Sequence, residues 1–367
     1  MQPAVAAFTD TYLPTVNGVT YTISAWRDRY AERGGRMDVV YPDSSYEPEP
    51  GEYPVFSLPF PFYEGYRLGT PQIPSSLPEL DLIHAHSPFA VGVAGYRLAR
   101  REDLPFVVSY HTPTGEYASY VAPDALAGPV AAVSNRWERW FLQRADLVLA
   151  PSERTARSLR HSLSDAVPVE ALPNGVDTTR FEPRDTTAFE RRHDVPTDRP
   201  LIGYTGRHGH EKNLEAIVEA AADLDVTVLF GGEGPATEDL EAAARRHDVD
   251  ARFLGFLDRE ELPAFYSALD VFAFPSPVET QGIVALEATA CGTPVVGVNA
   301  GALRETVVDG ENGFHYERGD IEGFRAQIER ALDEGESLAE SCLAHRAEIS
   351  LSRAIDQLEA AYESVLQ

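Results

Sequence analysis

Short apolar runs alternate with longer segments of helical pattern along the chain, and this alternation limits what the chain can fold into. Strands that alternate with helices predict a parallel sheet built from βα repeats. The runs form two series that are separated by one interruption. The first series comprises Ala4–Phe8, Met37–Tyr41, Asp81–Ala85, Pro105–Tyr110 and Asp146–Ala150, and the second comprises Leu201–Thr205, Val226–Gly231, Ala251–Gly255, Asp270–Phe274 and Pro294–Val298.

The interruption between the two series is the segment Val169–Val176, which contains the turn-forming sequence Pro-Asn-Gly. We therefore predict an α/β protein with two doubly wound, Rossmann-like domains and a ligand cleft between the carboxyl ends of their sheets. The predicted first domain covers residues 1–172, and the second covers residues 173–348. Residues 349–367 have the pattern of a helix, which we expect to return to the first domain.

The charge of the chain excludes one class of function. The 367 residues include 58 acidic and 31 basic side chains, which gives a net charge of −27. A protein that coats DNA or RNA needs a basic surface, so we expect no nucleic-acid partner.

The basic residues are nearly all arginine, because Lys212 is the single lysine among 31 basic side chains. Abundant acid with almost no lysine is typical of adaptation to high salt. A Debye length of about 3 Å at molar ionic strength screens the self-repulsion of such a chain. We therefore expect a haloarchaeal protein, with an acidic mesophilic protein as the alternative.

The sequence predicts a cytoplasmic protein. Cys291 and Cys342 cannot form a disulfide framework and lack the spacing of metal ligands. The amino-terminal residues lack a charged segment followed by a long apolar one. No apolar run approaches the roughly 18 residues of a transmembrane helix. Any membrane association is therefore expected to be peripheral, on the inner face of the cell membrane.

Charge is also uneven along the chain. Residues 1–172 contain 20 acidic and 14 basic side chains, whereas residues 173–367 contain 38 and 17. The nearly neutral first part is compatible with a surface that meets an anionic partner or membrane. The alternative is that the first domain has fewer acidic helices.

Two glutamates eight residues apart form the strongest motif. Glu279 and Glu287 flank a predicted strand-to-helix turn. Backbone N–H groups of Gln281, Gly282 and Ile283 would point from the helix start towards an anion or a sugar. One carboxylate could bind the hydroxyls of a sugar ring and the other the ribose of a nucleotide. The alternative is a pair of solvated acids on an acidic surface.

Two cations lie in a tight loop after the strand Leu201–Thr205. Arg207 and Lys212 suit a diphosphate, because a guanidinium makes forked hydrogen bonds and an ammonium is a compact charge. His208 and His210, two residues apart, are interpreted as loop residues and not as a metal pair.

The loop after the first predicted strand contains Asn17 and Gly18. An Asn-Gly pair permits backbone conformations closed to other residues, so a phosphate could approach the amides closely. An ordinary βα loop is the alternative for this weak signal.

A histidine ends another predicted strand and precedes a polar, aromatic loop. His111 lies where a doubly wound fold places ligands, and Tyr117 and Tyr120 follow it. The neighbouring His84 and His86 are interpreted as buried core residues.

An aromatic helix is the last feature of interest. Trp137, Trp140 and Phe141 share one helical face in this prediction. The arginines around that face are Arg136, Arg139 and Arg144. The segment could lie in a membrane interface and contact the acceptor. Packing of the aromatic face on the sheet is the alternative.

Taken together, these motifs resemble those of retaining, nucleotide-sugar-dependent glycosyltransferases of family 4, which have the GT-B fold. The matching segments occur in the family's order: TYLPTVNGV, SYHT, LPNGVDTTRF, GRHGHEK, GGEGP, FLGFL and the segment from Glu279 to EATACGTPVV. Several of them also resemble enzymes that glycosylate diacylglycerol or related membrane lipids. In a salt-adapted archaeon the lipid would be of archaeol type.

The resemblance implies a role for each matching residue in binding the phosphates and the sugar. Gly18, next to Asn17, would bring its amide to the donor phosphates, and His111 would contact the donor sugar. Arg207 and Lys212 would hold the leaving diphosphate. Glu279 would bind sugar hydroxyls, supported by the amides that follow it.

The resemblance also implies which residues bind the nucleoside part of the donor. Glu287 would bind the ribose, and the backbone near Phe256 and Leu257 would line the base. One departure from the family is visible, since the chain has Gly301-Ala302 where two glycines are common. We expect a slightly altered loop there and an active enzyme.

The implied reaction transfers a hexose from UDP- or GDP-hexose to a membrane lipid, with no metal and no cofactor. No side chain is an obvious covalent nucleophile, so a front-face route is expected, in which the leaving phosphate helps to take the acceptor proton. Transfer to a polyprenyl-linked or polysaccharide acceptor is one alternative. A sugar-nucleotide epimerase and a non-catalytic nucleotide-sugar sensor are two others.

Overall fold

The computed structural model describes residues 2–15, 17–60, 67–111 and 124–367, the last with side chains from residue 128 onwards. The chain divides into two compact units. Unit 1 consists of Met1–Asn174 with Leu351–Gln367, and unit 2 consists of Gly175–Ser350.

Unit 1 is built on a seven-stranded parallel sheet with the order β3-β2-β1-β6-β7-β8-β9. A separate two-stranded antiparallel ribbon joins β4 to β5. The strands are β1 (Ala4–Phe8), β2 (Arg36–Pro42), β3 (Glu52–Val55), β4 (Ser57–Pro59), β5 (Arg67–Gly69), β6 (Leu82–Ala85), β7 (Phe106–Ser109), β8 (Leu147–Ala150) and β9 (Val169–Ala171). Its first helices are α1 (Gly18–Glu32), α2 (Ala90–Glu102), α3 (Asp124–Leu142) and α4 (Glu153–Ser162).

Unit 2 contains a six-stranded parallel sheet with the order β12-β11-β10-β13-β14-β15. The strands are β10 (Leu201–Thr205), β11 (Thr227–Gly231), β12 (Ala251–Gly255), β13 (Val271–Phe274), β14 (Val295–Val298) and β15 (Gly313–Tyr316). The helices are α5 (Thr187–His193), α6 (Glu215–Ala221), α7 (Thr237–His247), α8 (Leu262–Ala268), α9 (Ile283–Ala290), α10 (Leu303–Thr306), α11 (Ile321–Asp333) and α12 (Gly335–Ala344), and a 3₁₀ turn covers His210–Lys212.

The last helix, α13 (Leu351–Leu366), belongs to unit 1. Its apolar side chains Ile355, Leu358 and Tyr362 are fully buried in one cluster with Trp26 and Tyr30 of α1. Burial of these apolar side chains holds α13 against unit 1, whose sheet is made from the amino-terminal part of the chain.

The α/β fold with two doubly wound sheets confirms the predicted class. Each of the ten predicted strands is present, and most of them are continuous apolar runs buried on both faces; the edge strand β12 is the exception. The pattern did not predict β3, β9, β15 or the ribbon β4–β5, and β9 lies within the segment that was interpreted as the interruption between the two series. These short strands lie at sheet edges or outside the sheets, where few side chains need to be apolar. Within the described residues, no helix is long and apolar enough to span a bilayer.

Candidate functional site

The carboxyl edge of the unit 2 sheet contains four neighbouring loops. The order reverses between β10 and β13, which is where doubly wound folds bind ligands. Backbone hydrogen bonds fix the loops to each other, from Gly206 N to Gly231 O at 3.1 Å, from His208 N to Glu233 O at 3.0 Å and from Gly232 N to the Gly255 carbonyl at 2.7 Å. The site therefore rests on a frame of main-chain bonds.

An ion pair crosses this switch point. The Lys212 ammonium lies 2.7 Å from Oε1 of Glu279, and both side chains are largely buried. Lys212 ends the 3₁₀ turn after β10, and Glu279 lies in the loop between β13 and α9. The structure thus brings together two of the residues that the sequence predicted from separate motifs.

Arg207 belongs to the same group of charges. Its guanidinium pairs with Glu211, four residues later. Burial, followed by the nearby carboxylates of Glu279 and Glu211, raises the pKa of Tyr204 well above its usual value, while Arg207 opposes that rise. The phenol of Tyr204 is therefore the common neighbour of these charges. Glu211 was not predicted, although its spacing from Arg207 suits an ion pair.

The turn into α9 is tightly braced. Gly282 caps the helix with φ +77°, and a Cβ there would come within 2.9 Å of Leu303 Cδ2. The hydroxyl of Thr306 donates to the Gln281 carbonyl at 2.5 Å, and Ala302 N donates to the Glu279 carbonyl at 3.0 Å. The first amides of a helix have no partner within the helix, so this terminus can bind an anion or a sugar oxygen.

Glu287 belongs to a second group of side chains on α9. The Tyr266 hydroxyl donates to its Oε2 at 2.8 Å, and Arg259 Nη2 lies 3.8 Å from its Oε1. Burial raises the pKa of Glu287, and the Arg259 charge opposes that shift. Tyr266 and Arg259 were not predicted, because nothing in their sequence spacing relates them to Glu287.

Phe256 and Leu257 follow β12 at the same edge. The Phe256 side chain is 59% exposed, whereas Leu257 is buried. Gly255, with φ +68°, turns the chain so that these neighbours face different surroundings. An exposed aromatic ring at the edge of the site offers a stacking surface for a planar ligand.

Of the pair Gly301-Ala302, only the first position requires a glycine. Gly301 has φ +53°, and a Cβ there would come within 3.0 Å of the Glu279 carbonyl oxygen. Ala302 has φ −75° and ψ −15°, a backbone conformation open to any residue. Its methyl group therefore introduces no backbone strain.

The Asn17-Gly18 loop in unit 1 differs from expectation. Asn17 is extended and caps α1, with its Oδ1 accepting from Thr20 N at 2.9 Å and its Nδ2 donating to Thr11 Oγ1 at 2.8 Å. Gly18 begins the helix without a positive φ, so the backbone here agrees with the alternative of an ordinary βα loop. A Cβ on Gly18 would meet nothing within 4 Å. The start of α1 is therefore open for close approach.

His111 is part of a group of three histidines at the carboxyl edge of the unit 1 sheet. Its Nε2 lies 2.9 Å from Nδ1 of His86, and the two rings stack. Burial lowers the pKa of His111 to about 4 and that of His84 to about 3. Because their pKa values are lowered, the imidazoles of His111 and His84 are neutral at pH 7. His84 and His86 are buried, as expected.

The structure favours the alternative interpretation of the α3 aromatic residues, which is packing of their shared face, over a membrane contact made by all three. Phe141 is fully buried in the core of unit 1, and Trp140 lies between Trp137 and the Arg144 guanidinium. Only Trp137, at 40% exposure, is available to a surface partner. A helix of this pitch places adjacent positions about 100° apart, so neighbouring aromatics can differ in burial.

Two further candidates, Tyr117 and Tyr120, lie outside the described residues.

Comparison with known proteins identifies relatives of both units. The family model for glycosyl transferases group 1 matches residues 185–343, and the model for Glycosyltransferase Family 4 matches residues 16–180. A GDP-mannose-dependent alpha-mannosyltransferase from Corynebacterium glutamicum is 30% identical over 93% of this chain and 83% of that protein.

Two further similarities concern a lipid-related enzyme and a solved structure. The alpha-monoglucosyldiacylglycerol synthase of Streptococcus pneumoniae is 26% identical over 87% of this chain and 76% of its own length. The crystal structure of Anabaena HepE in complex with UDP-glucose superposes with a TM-score of 0.74 and 19% identity, over 98% of this chain and 99% of that one.

Proposed function

Because the chain belongs to glycosyltransferase family 4 and has the GT-B fold, we propose that it transfers a hexose from UDP- or GDP-hexose to a membrane lipid, with retention of configuration. The lipid in this proposal is of diacylglycerol or archaeol type. The observation that carries the proposal is the Lys212–Glu279 pair with Arg207 beside it, at the switch point of the unit 2 sheet.

The donor diphosphate would exchange partners with the carboxylates. In the free site Lys212 pairs with Glu279 and Arg207 pairs with Glu211. A diphosphate provides more oxygens than one carboxylate and suits both cations. Once Lys212 turns to the phosphates, Glu279 is free to accept hydrogen bonds from sugar hydroxyls. The same ion pair therefore supplies a phosphate ligand and a sugar ligand.

Catalysis would be electrostatic. As the anomeric bond breaks, negative charge grows on the departing phosphate, where Lys212 and Arg207 stabilise it; one such contact is typically worth about 10²–10³ in rate. In this front-face route the departing phosphate helps to accept the proton of the acceptor hydroxyl. We propose that transfer needs no metal ion, and turnover that persists in excess chelator would support this.

In unit 1, the proposed donor contacts are the Gly18 amide and His111.

The nucleoside would be held by the second group of side chains. Glu287 keeps an acceptor oxygen next to Tyr266 and Arg259, which suits a ribose hydroxyl. The exposed Phe256 ring offers a face for the base.

Observations outside the proposed donor site support a lipid acceptor. One relative bears the name of an alpha-monoglucosyldiacylglycerol synthase. Unit 1 contains most of the less acidic part of the chain and the exposed Trp137. A cytoplasmic protein that binds the inner face of the cell membrane peripherally would meet such an acceptor.

The test is a screen of UDP- and GDP-hexoses against extracted membrane lipids in molar KCl, with released nucleotide and glycolipid as readouts. Lys212→Ala and Glu279→Ala should each lower turnover at least tenfold without unfolding the chain. Arg245→Ala and Glu241→Ala alter an exposed ion pair on α7 and serve as matched controls. Normal turnover in both site variants would refute the site. Glycosylation of only polyprenyl-linked or polysaccharide acceptors would refute the lipid.

We also propose that the protein is adapted to the high salt of a haloarchaeal cytoplasm. A net charge of −27 destabilises a compact chain unless counterions screen it. The free energy of unfolding should therefore rise as KCl is raised from millimolar to molar. Stability that is independent of KCl would contradict this proposal.

A further inference from the structure

The β4–β5 ribbon of unit 1 has an apolar outer face. Phe56, Leu58 and Leu68 are 55%, 56% and 49% exposed. Leu58 and Leu68 are directly opposite in the antiparallel register, and Phe56 lies two residues before Leu58, on the same face. Ser57 and Gly69 alternate with them and are buried. Three large apolar side chains therefore form one continuous surface.

This ribbon is adjacent to two more exposed aromatic rings. A Cβ on Gly69 would come within 2.6 Å of Val91 Cγ2, which places β5 against the first turn of α2. Phe89 immediately precedes α2 and is exposed, and the Trp137 indole donates to the Pro88 carbonyl at 2.7 Å. The ribbon, Phe89 and Trp137 therefore all lie around the amino-terminal end of α2.

We name these residues the docking face: Phe56, Leu58, Leu68, Phe89 and Trp137. They are five of the ten large apolar side chains that are exposed in the described parts of the chain. Exposed apolar residues scattered singly are ordinary, whereas a cluster of this kind marks an interaction surface.

Positive charge lies next to the docking face. Arg136 and Arg139 are exposed in the part of α3 that contains Trp137, and both lie on the same side of it, about 60° apart around the helix. As far as the described residues show, neither arginine makes an ion pair, whereas many other arginines of this acidic chain do. Apolar side chains flanked by unpaired arginines match the interface of an anionic bilayer. A second copy docked about a twofold axis would instead bring the same arginines close to one another.

We propose that the docking face is the membrane contact of this protein, with the ribbon side chains inserted at the boundary between headgroups and acyl chains of an anionic bilayer. Arg136 and Arg139 contact the anionic headgroups. This inference rests on the proposed lipid acceptor and names the surface that brings the enzyme to it. The ribbon replaces Trp140 and Phe141 as the principal apolar contact.

The test is co-sedimentation of the full chain with vesicles of phosphatidylglycerol and phosphatidylcholine in equal amounts, and with phosphatidylcholine vesicles alone, in KCl lowered stepwise from molar concentration, because molar salt screens the attraction between exposed charges. The variant Phe56→Ser/Leu58→Ser/Leu68→Ser should bind the anionic vesicles at least tenfold more weakly, because affinity scales with buried apolar area. Val308→Ser/Leu366→Ser, which removes exposed apolar side chains elsewhere, should bind like the wild type. Arg136→Glu/Arg139→Glu should remove the preference for anionic vesicles.

Turnover separates this proposal from the proposed function. The ribbon variant should keep normal transfer to a detergent-dispersed lipid acceptor and lose transfer to the same lipid in vesicles, which also shows that it is folded. Wild-type transfer to dispersed lipid without vesicle binding would overturn the docking face alone. Vesicle binding that requires the ribbon, without any lipid glycosylation, would overturn the acceptor alone. If the ribbon variant bound vesicles as tightly as the wild type, the docking face would also be overturned. The same conclusion would follow if the wild type bound no vesicles but formed a dimer that the ribbon variant could not form.

Discussion

At the scale of single residues, the proposed donor site of unit 2 consists of charges that are paired with one another in the free protein. Lys212 pairs with Glu279, and Arg207 pairs with Glu211. The pairing keeps largely buried charges satisfied in the free protein, where an unpaired charge would be costly. In the proposed complex the diphosphate takes the place of the carboxylates as partner of both cations, and the sugar hydroxyls take the place of the Lys212 ammonium at Glu279.

Sequence reasoning found the charged residues of this group but not their supports. Arg207, Lys212 and Glu279 were identifiable because each lies in a motif next to a predicted strand end. Tyr266 and Arg259 reach Glu287 through the packing of α8 and its flanking loop on α9, which no local pattern encodes. Phe141 was misplaced for the same reason, since periodicity alone does not show which side of an aromatic stripe faces the core.

One residue-scale prediction concerns Tyr266, whose hydroxyl orients the Glu287 carboxylate. Tyr266→Phe removes the 2.8 Å hydrogen bond and leaves the ring in place. We expect the KM for the nucleotide sugar to rise several-fold with a smaller change in kcat, because the lost bond orients Glu287 and does not itself contact the donor. Initial-rate kinetics over donor concentration would measure it. An unchanged KM would argue against ribose binding by Glu287.

A second prediction concerns pH. Burial lowers the pKa of His84 to about 3, whereas an unfolded histidine titrates near its ordinary value of 6.5. As pH falls below 6.5 the unfolded chain binds the proton first, so His84 makes the protein less stable by up to about 1.4 kcal/mol per pH unit. In His84→Asn, denaturant titrations between pH 6 and pH 4 should give a shallower loss of stability. Equal slopes for both proteins would show that His84 is not the source.

At the scale of elements, the start of α9 decides the geometry of the site. Gly282 takes a left-handed backbone, and its missing side chain leaves room for Leu303 and Phe274. The following helix is apolar and buried, so its start has little freedom to move. Interior strands were predicted almost to the residue because burial on both faces demands apolar runs. The β4–β5 ribbon was missed because its outer face is exposed and Pro59 interrupts its pattern.

The element-scale prediction is that Gly282→Ala lowers turnover at least tenfold. A Cβ there would lie 2.9 Å from Leu303 Cδ2 and 3.1 Å from Phe274 Cε1, so the helix start must shift. Gly310 has nearly the same φ, +78°, with nothing within 4 Å of a Cβ. Gly310→Ala therefore carries the backbone strain alone, about 1–2 kcal/mol, and should retain normal turnover. Equal effects of both substitutions would mean that strain, and not displacement of α9, limits activity.

At the scale of the whole molecule, the chain leaves unit 1, builds unit 2 and returns to unit 1 in α13. The core of unit 1 is therefore completed by residues that follow unit 2 in the chain. Leu358 and Tyr362 are fully buried in it, and His84 is hydrogen-bonded to the Tyr362 hydroxyl at 2.7 Å. Apolar periodicity predicted the helix, but the residues it packs against depend on the completed fold.

The corresponding prediction is that Leu358→Ala destabilises unit 1 by about 2–5 kcal/mol, as buried leucines typically do. The three tryptophans, at positions 26, 137 and 140, all lie in unit 1, so their fluorescence reports this unit during denaturant unfolding. Leu366→Ala, on the exposed end of the same helix, should leave the midpoint nearly unchanged. Equal midpoints for wild type and Leu358→Ala would contradict the packing of α13 on unit 1.

The ion pair between Lys212 and Glu279 has a practical consequence. Because this ammonium belongs to the single lysine among 367 residues, an amine-directed acylating reagent has one side chain to modify in the entire sequence. A bound diphosphate would cover the ammonium and slow its acylation. The mass gained by the one peptide that contains Lys212 would then report, without any radiolabel, which nucleotide sugars protect it.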